Sequence, residues 1–202
     1  YGSSDDSPYQ AYSAFAGNPY LISLDALVEE GVLTREECDG VSFGDNPAKV
    51  DFDKLHEHRF ALLRKAYERS GISANPDYQN FIRDNGWWLN DYALFMALKT
   101  FFHDQPFRAW PEDIRMHWGF ALEHYNRELY FEFQKYMQFK FNQQWSRLKA
   151  YANGKHIQIV GDIPIYVSPD GADVWAHPEL FQLDAHNAPT AIAGCPPDAF
   201  AK

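Results

Sequence analysis

Asp162 is the side chain whose type and position in this sequence best suit chemistry. It follows a short run rich in β-branched residues, 156–161 (HIQIVG), and precedes Ile163 and Pro164. The run predicts a short buried strand, and Pro164 predicts where regular pairing stops, because proline cannot donate to a sheet ladder. Ligands of α/β folds gather at the carboxyl ends of strands. Asp162 is therefore a candidate ligand-binding group, although an acid in this position can also cap a loop amide.

The ligand that suits an isolated carboxylate here is one with neighbouring hydroxyl groups, such as a sugar. A carboxylate accepts hydrogen bonds from two hydroxyls at once. Tyr9 follows Ser7 and Pro8 in a polar stretch typical of a loop, so its ring either faces a cleft or packs on the helices. Aromatic rings match the C–H faces of sugars. Cleavage of a glycosidic bond needs a second carboxylate across the bond, and no second strand-end acid accompanies Asp162.

Other groupings of reactive side chains are weak. His56 and His58 are two residues apart, so they do not share a helix face and predict a solvated surface. The stretch from Asp170 to Asp173 lacks the spacing and the closing glutamate of an EF-hand loop. No phosphate-binding loop and no nucleophile elbow are present. None of these groupings therefore predicts a metal site.

Composition limits the classes of partner. The 202 residues suit one domain or one and a half, and the net charge is −10. The basic residues form no stripe that would neutralise phosphates, which argues against nucleic acid. No apolar run is long enough to cross a membrane. Cys38 and Cys195 lie far apart without a CxxC pair, which is typical of thiols in a reducing cytoplasm.

The elements that position these residues are mainly helical. Apolar periodicity and capping residues predict helices over 24–31, from 34 onward, over 53–70, over 88–102 and along 119–153. Asn85 and Gly86 predict a break before the fourth of these, and Gly154 predicts the end of the last. Residues 168–202 have no sustained period and predict a long structured loop. A single strand makes no sheet, so we expect an internal fragment of a larger fold.

Six motifs carry a resemblance to a known family. They are 7–10 (SPYQ), 13–19 (SAFAGNP), 88–99 (WLNDYALFMALK), 161–167 (GDIPIYV), 172–179 (ADVWAHPE) and 193–200 (AGCPPDAF). In this order they resemble the amylomaltases, which are 4-α-glucanotransferases of glycoside hydrolase family 77 in the α-amylase clan. The resemblance extends over nearly the whole chain.

The resemblance implies an α/β fold, a fragment of a (β/α)8 TIM barrel with large helical insertions. This piece would be predominantly α-helical with one clear barrel strand. We expect four parts: a barrel loop with a substrate-cleft segment (1–23), a helical insertion subdomain (24–118), a long helix plus the strand ending at Asp162 (119–167), and a loop subdomain that begins a cleft-covering loop (168–202).

The resemblance also implies an activity, the transfer of α-1,4-glucan segments between maltooligosaccharides by a retaining double displacement without a cofactor. Ser7 and Tyr9 would line the donor site, and Asp162 would hold the sugar next to the bond that breaks. Pro196, Pro197 and Asp198 would begin the mobile loop. The nucleophile and the acid/base would lie outside these 202 residues, so we expect the isolated chain to be inactive.

Two other readings of the sequence stay open. A non-catalytic α-glucan-binding module would use the same aromatic residues without turnover. A purely helical interaction domain would bind no glucan at all.

Overall fold

The computed structural model describes residues 10–46, 48–191 and 194, and this part of the chain is built from helices. Its α-helices are α1 (Leu24–Glu29), α2 (Arg35–Asp39), α3 (Phe52–Ser70), α4 (Pro76–Phe101), α5 (Glu112–Arg115), α6 (Gly119–Glu128), α7 (Glu132–Gly154) and α8 (Ala172–Ala176). Short 3-10 turns lie at Pro19–Leu21, Ile72–Ala74, Phe107–Ala109 and Pro178–Leu180. No helix in these ranges is long and apolar enough to cross a membrane.

The core forms around α4 and α7. Helix α4 packs against α7 and α8, and α3 packs against α7. The largest fully buried side chains include Trp175, Tyr78, Tyr92, Tyr136, Phe95 and Phe107. The buried Trp175 ring nitrogen donates to the Ile114 carbonyl at 2.7 Å, which joins α8 to α5. Burial of each large apolar side chain contributes roughly 1.5–3 kcal/mol, so this ring helps to hold α8 in the core.

The predicted start of α2 and the predicted extent of α3 are confirmed. Thr34 caps α2 by accepting from the Glu37 N–H at 3.2 Å, while the Glu37 carboxylate accepts from the Thr34 N–H at 3.1 Å. This reciprocal pair is a capping box, which satisfies two backbone donors that the helix leaves free. Helix α3 begins after Asp51, whose side chain accepts from the Lys54 N–H. The local sequence signals were sufficient for both helices.

The predicted break at Asn85 and Gly86 is wrong, because α4 runs through both residues. A glycine inside a helix costs about 1 kcal/mol relative to alanine. The residues that follow offset this cost by burial, since Leu89 and Tyr92 are almost fully enclosed. The Asn85 amide donates to the carbonyl four residues earlier, which keeps it inside the helix. Packing against the core therefore overrides the local turn signal.

The continuous helix predicted over 119–153 is wrong in a different way. The chain forms α6 and α7, with Leu129, Tyr130 and Phe131 between them. Helix α6 packs against α5, whereas α7 packs against α3 and α4. The two helices pack against different neighbours, so the predicted single helix is divided in two. No proline or glycine marks this interruption in the sequence.

Helix α7 ends one residue later than predicted, and the left-handed residue after it lies two residues later. Gly154 is the last helical residue, and His156 takes the left-handed conformation, with φ of 59°. The His156 N–H donates to the Asn153 carbonyl, and the Ile157 N–H donates to the Ala152 carbonyl. This pattern is a Schellman motif, in which a left-handed residue follows the helix. Histidine occupies the position where the sequence pointed to a glycine.

The strand predicted over 156–161 is not found in the described structure. Residues 157–164 have no regular secondary structure. A strand requires a partner to satisfy its backbone groups, and no described segment pairs with this one. Ile157, Val160 and Ile163 are exposed instead of buried. The described part of the predicted 168–202 loop contains α8, the 3-10 turn Pro178–Leu180 and an isolated bridge between Leu183 and Pro189.

Candidate functional site

Residues 10–18, here called the 10–18 segment, contain no helix and are held by side chains from distant parts of the chain. Asp173 accepts from the Ser13 hydroxyl at 2.7 Å and from the Ala14 N–H at 2.7 Å. The Ala172 N–H donates to the Tyr12 carbonyl at 2.7 Å. Ser13 is only 2% exposed, so its hydroxyl requires a partner within the protein. These bonds attach the segment to the start of α8.

Gln138 of α7 holds the other end of the 10–18 segment. Its side-chain oxygen accepts from the Gly17 N–H at 2.8 Å, and its side-chain nitrogen donates to the Gly17 carbonyl at 3.0 Å. A Cβ atom at Gly17 would lie 2.0 Å from the Phe141 ring. Only glycine fits where the backbone approaches α7 this closely. The motif residue Gly17 is thus explained by packing against Phe141 and pairing with Gln138.

A buried ion pair anchors the loop before α8, the helix that contains Asp173. The Lys99 ammonium lies 2.9 Å from an Asp170 oxygen and also donates to the carbonyls of Asp104 and Gln105. The second Asp170 oxygen accepts from the Phe107 N–H at 2.8 Å. Charged groups inside a protein are stable when they are paired and hydrogen-bonded. The loop before α8 is therefore fixed to the end of α4.

Asp162 lies on the irregular stretch after α7, and its carboxylate is exposed. One oxygen accepts from the Ile163 N–H at 2.9 Å. With the described residues the carboxylate makes no other polar contact. The acid therefore caps a loop amide, and its ligand-binding role stays a prediction.

The other predicted site residues lie outside the described residues. These are Ser7, Tyr9, Pro196, Pro197 and Asp198. Their predicted roles, and the predicted proximity of Tyr9 to Asp162, stay predictions. The structure describes Asp162, the 10–18 segment and the loop before α8, and these three parts are here called the frame.

Two depressions open on the described surface. One has a volume of about 350 Å³ and is lined by Arg64, Tyr67, Glu68, Gly71, Ile72, Ser73 and Tyr130. The other is a notch of about 30 Å³ lined by Phe15, Trp87, Trp88, Asp91, Tyr92, Ala172, Asp173, Ala176 and His177. The notch borders the 10–18 segment, and the larger depression contains none of the predicted site residues.

The acids of 170–173 have structural roles in the described part of the chain. Asp170 pairs with Lys99, and Asp173 binds Ser13 and Ala14. Within the described ranges, no group of three or more metal-ligating side chains is present. His56 lies against the Phe60 ring and the Tyr20 hydroxyl, as a surface contact of α3.

Comparison with known proteins decides the family. The family model for 4-alpha-glucanotransferase matches residues 2–202. The chain belongs to this family. A 4-alpha-glucanotransferase of Streptococcus pneumoniae is 45% identical over 199 residues, which cover 96% of this chain and 39% of that protein. A 4-alpha-glucanotransferase of Clostridium butyricum is 42% identical over 200 residues, covering 98% and 41%.

The fold agrees with the family. Amylomaltase from Streptococcus agalactiae in complex with acarbose matches with a TM-score of 0.92 and 39% identity. The match covers 100% of this chain and 41% of that one. The mostly helical fold described above is therefore the fold of the corresponding part of amylomaltase. The chain spans about 40% of the length of the relatives that it matches.

Several residues of the frame were missed by sequence reasoning. Lys99 was assigned to the border of an apolar helix face, and Asp170 and Asp173 were considered only as metal ligands. Ser13 and Gln138 were not singled out at all. Ser13, Lys99 and Asp173 each lie inside a family motif, which is the signal that was available. Their side-chain partners are more than 60 residues away in sequence, so periodicity could not pair them.

Proposed function

We propose that the protein containing this chain is a 4-α-glucanotransferase of carbohydrate metabolism, which cleaves an α-1,4-glucan and transfers the released segment to the 4-hydroxyl of another sugar. The observation that carries the proposal is a structural match: the whole chain superposes on part of an amylomaltase whose structure contains acarbose. The substrates are α-1,4-glucans or maltooligosaccharides, and the reaction is a retaining double displacement without a cofactor.

Within this proposal, Asp162 holds the sugar next to the bond that breaks. Its exposed carboxylate keeps one oxygen available beyond the bond to the Ile163 amide, which supports the role. Ser7 and Tyr9 line the donor site, and Pro196, Pro197 and Asp198 begin a mobile loop over the cleft. A double displacement also needs a nucleophile and an acid/base. We place both in parts of the protein other than these 202 residues.

We also propose that residues 156–161 form a strand of a (β/α)8 barrel in the complete protein. The β-branched side chains of this stretch suit a buried strand and are exposed without a partner. The proposed parts are then 1–23, 24–118, 119–167 and 168–202, as the family resemblance implies. The free thiol of Cys38 agrees with a cytoplasmic location, which we include in the proposal.

The activity is tested by incubating the full-length protein with maltotriose. We expect glucose and longer maltodextrins to appear, because a transferase disproportionates its substrate. The 202-residue chain assayed in parallel should give neither product, since general acid/base and nucleophilic catalysis each supply orders of magnitude in rate. Binding of maltooligosaccharides without product from the full-length protein would favour the non-catalytic binding module instead. Turnover by the 202-residue chain would contradict the placement of the catalytic carboxylates.

In the same assay, Asp162→Ala should lower kcat/KM about 10- to 100-fold, the usual loss when a hydrogen bond to a charged group is removed. The fold should be unaffected because the side chain is exposed. Asp84→Ala is the matched control, since Asp84 is an exposed acid that contacts only the neighbouring Arg83. If the two variants were equally active, Asp162 would not belong to the substrate site.

A further inference from the structure

We propose that Asp173 is a positioning residue for glucan binding, because it fixes the 10–18 segment that continues from Ser7 and Tyr9. This proposal rests on the function proposed above and concerns the donor side of the same cleft. Among the described residues, the Asp173 carboxylate contacts Ser13 and Ala14. It acts through the backbone that carries the proposed donor-site residues.

The geometry around Asp173 is that of a two-point clamp. One carboxylate oxygen accepts from the Ser13 hydroxyl and the other from the Ala14 N–H, both at 2.7 Å. The Ser13 oxygen in turn accepts from the Phe15 N–H at 3.2 Å. Hydrogen bonds to a carboxylate are about twice as strong as neutral ones. A single side chain therefore sets the conformation of three successive residues.

The residues that precede Asp173 are themselves held in place, which makes the clamp rigid. Gly171 lies so close that a Cβ atom there would be 3.1 Å from the Tyr12 carbonyl oxygen and 3.0 Å from the Ser168 carbonyl oxygen. Asp170 is fixed by Lys99 and by the Phe107 amide. Asp173, at the start of α8, thus follows a loop that is held by contacts independent of the 10–18 segment.

The far end of the segment is held independently by Gln138 through the Gly17 amide and carbonyl. The clamp and this second attachment leave only Phe15 and Ala16 between them. Tyr9 precedes Ser13 by four residues, so chain geometry keeps the two within about 14 Å of each other. Ser13 is therefore close along the chain to the residues that we place at the donor site.

Loss of the clamp should weaken donor binding more than the chemical step. Asp173→Ala leaves the buried Ser13 hydroxyl and the Ala14 N–H without their partner and releases the segment from one side. The catalytic carboxylates are placed elsewhere and stay in position. A misplacement of about 1 Å away from the chemistry can cost about 100-fold in rate. An effect that acts through binding should appear mainly in KM.

The experiment measures disproportionation of maltotriose by the full-length enzyme. We expect Asp173→Ala to raise KM about 10-fold or more with a smaller change in kcat. Asp173→Asn should recover most of this loss, because its oxygen accepts from the Ala14 N–H while its amide donates to the Ser13 oxygen. Ser13→Ala, which removes one of the two bonds, should raise KM about threefold. It also serves as the test if Asp173→Ala does not fold.

Leu63→Ala, a fully buried change in α3, is the control for general destabilisation. It should lower the melting temperature without raising KM. Hydrogen exchange of the peptide that covers 10–18 should accelerate in Asp173→Ala and not in Leu63→Ala. If the wild type is active and Asp173→Ala has an unchanged KM, the positioning role is overturned even if hydrogen exchange accelerates. The proposed function would not be affected by that result. A wild-type enzyme without disproportionation overturns the proposed function, and this proposal with it.

Discussion

Lys99 lies near the end of α4 with its ammonium group inside the protein, where the side chain is 2% exposed. Its three N–H donors match three acceptors: Asp170 and the backbone carbonyls of Asp104 and Gln105. A lysine amine has three donors and no acceptor. The group is therefore satisfied completely, and the burial that would be costly for an unpaired charge is tolerated.

Replacement of one member of this pair should be costly. Lys99→Met preserves the apolar stem but leaves Asp170 charged and partly buried with only the Phe107 amide. We expect the free energy of unfolding to fall by about 3–5 kcal/mol, the usual result of breaking a buried pair from one side. Urea unfolding followed by tryptophan fluorescence measures the change.

The control for this prediction is Lys54→Met. Lys54 forms an ion pair with the exposed Asp45 at 2.9 Å, and such surface pairs contribute about 0–1 kcal/mol. If the two variants lost equal stability, the buried network around Lys99 would not be an anchor of the loop before α8.

At the scale of elements, the start of α2 is joined to the end of α3 by one carboxylate. Glu37 accepts from both terminal nitrogens of Arg69, at 2.7 and 2.9 Å, as well as from the Thr34 N–H. The hydrogen bonds from Arg69, and then the bond from Thr34, lower the pKa of Glu37 to about 2 from its ordinary value of 4.5. The ionised form is thus specifically stabilised by folding.

This shift predicts a pH dependence of stability. A lowered pKa in the folded state contributes stability that is fully present above the unfolded pKa and is lost as the pH falls through the folded one. Glu37→Gln should therefore be less stable than the wild type at pH 7. The difference should shrink between pH 4.5 and about 2 and vanish below. Urea unfolding of both proteins across this range measures it.

Glu36→Gln is the comparison for the pH experiment. Glu36 lies in the same first turn of α2 and forms no ion pair with the described residues. Because its removal breaks no ion pair with the described residues, we expect the stability of Glu36→Gln to stay close to that of the wild type. A difference for Glu37→Gln that persists below pH 2 would show that the carboxylate charge is not the cause.

Helix ends show a second feature at this scale. His103, His117 and His156 each take positive φ, of 52°, 57° and 59°, directly after α4, α5 and α7. In all three cases, the N–H of the residue after the histidine donates to the carbonyl of the residue five positions before that donor. Glycine is the usual residue in this position. At α7 the left-handed residue is therefore His156 and not Gly154, whereas Gly31 takes positive φ after α1.

At the scale of the whole molecule, the stretch after α7 exposes an unusual amount of apolar surface. Val160 is 89% exposed, and Ile163 and Ile165 are exposed beside it. Contiguous exposed apolar side chains mark surfaces that are covered by a partner. Our proposal assigns the cover to neighbouring strands of the barrel in the complete protein.

Val160→Lys tests that assignment because its effect should depend on the length of the protein. In the 202-residue chain, we expect no loss of stability and less self-association, since the side chain faces solvent. In the full-length protein, the lysine would be buried without a partner, which costs several kcal/mol. The melting temperature and the soluble yield should fall together. Calorimetry of both proteins provides the measurement.

Val50→Lys is the matched control, since Val50 is also an exposed valine, at 63%, but precedes α3 outside the proposed barrel strand. It should be tolerated at both lengths. If Val160→Lys were tolerated equally well in the full-length protein, residues 156–161 would not be a buried strand.

Much of this protein follows from local patterns. The start of α2 and the extent of α3 are encoded by capping residues and apolar spacing over one or two turns, and both are confirmed. The family motifs, read in order, indicated the 4-α-glucanotransferases, and the comparison confirms this. These properties depend on residues close in sequence or on whole motifs, so no knowledge of distant contacts was required.

The tertiary structure settled the questions that depend on distant partners. It carries α4 through Gly86, separates α6 from α7, buries Lys99 against Asp170 and brings Asp173 to Ser13, 160 residues away. None of these has a local signal, because the deciding free energy comes from packing and hydrogen bonds between remote segments. The stretch 156–161 has the composition of a strand but forms none with the described residues. Strand formation requires backbone partners, which no single stretch of sequence supplies for itself.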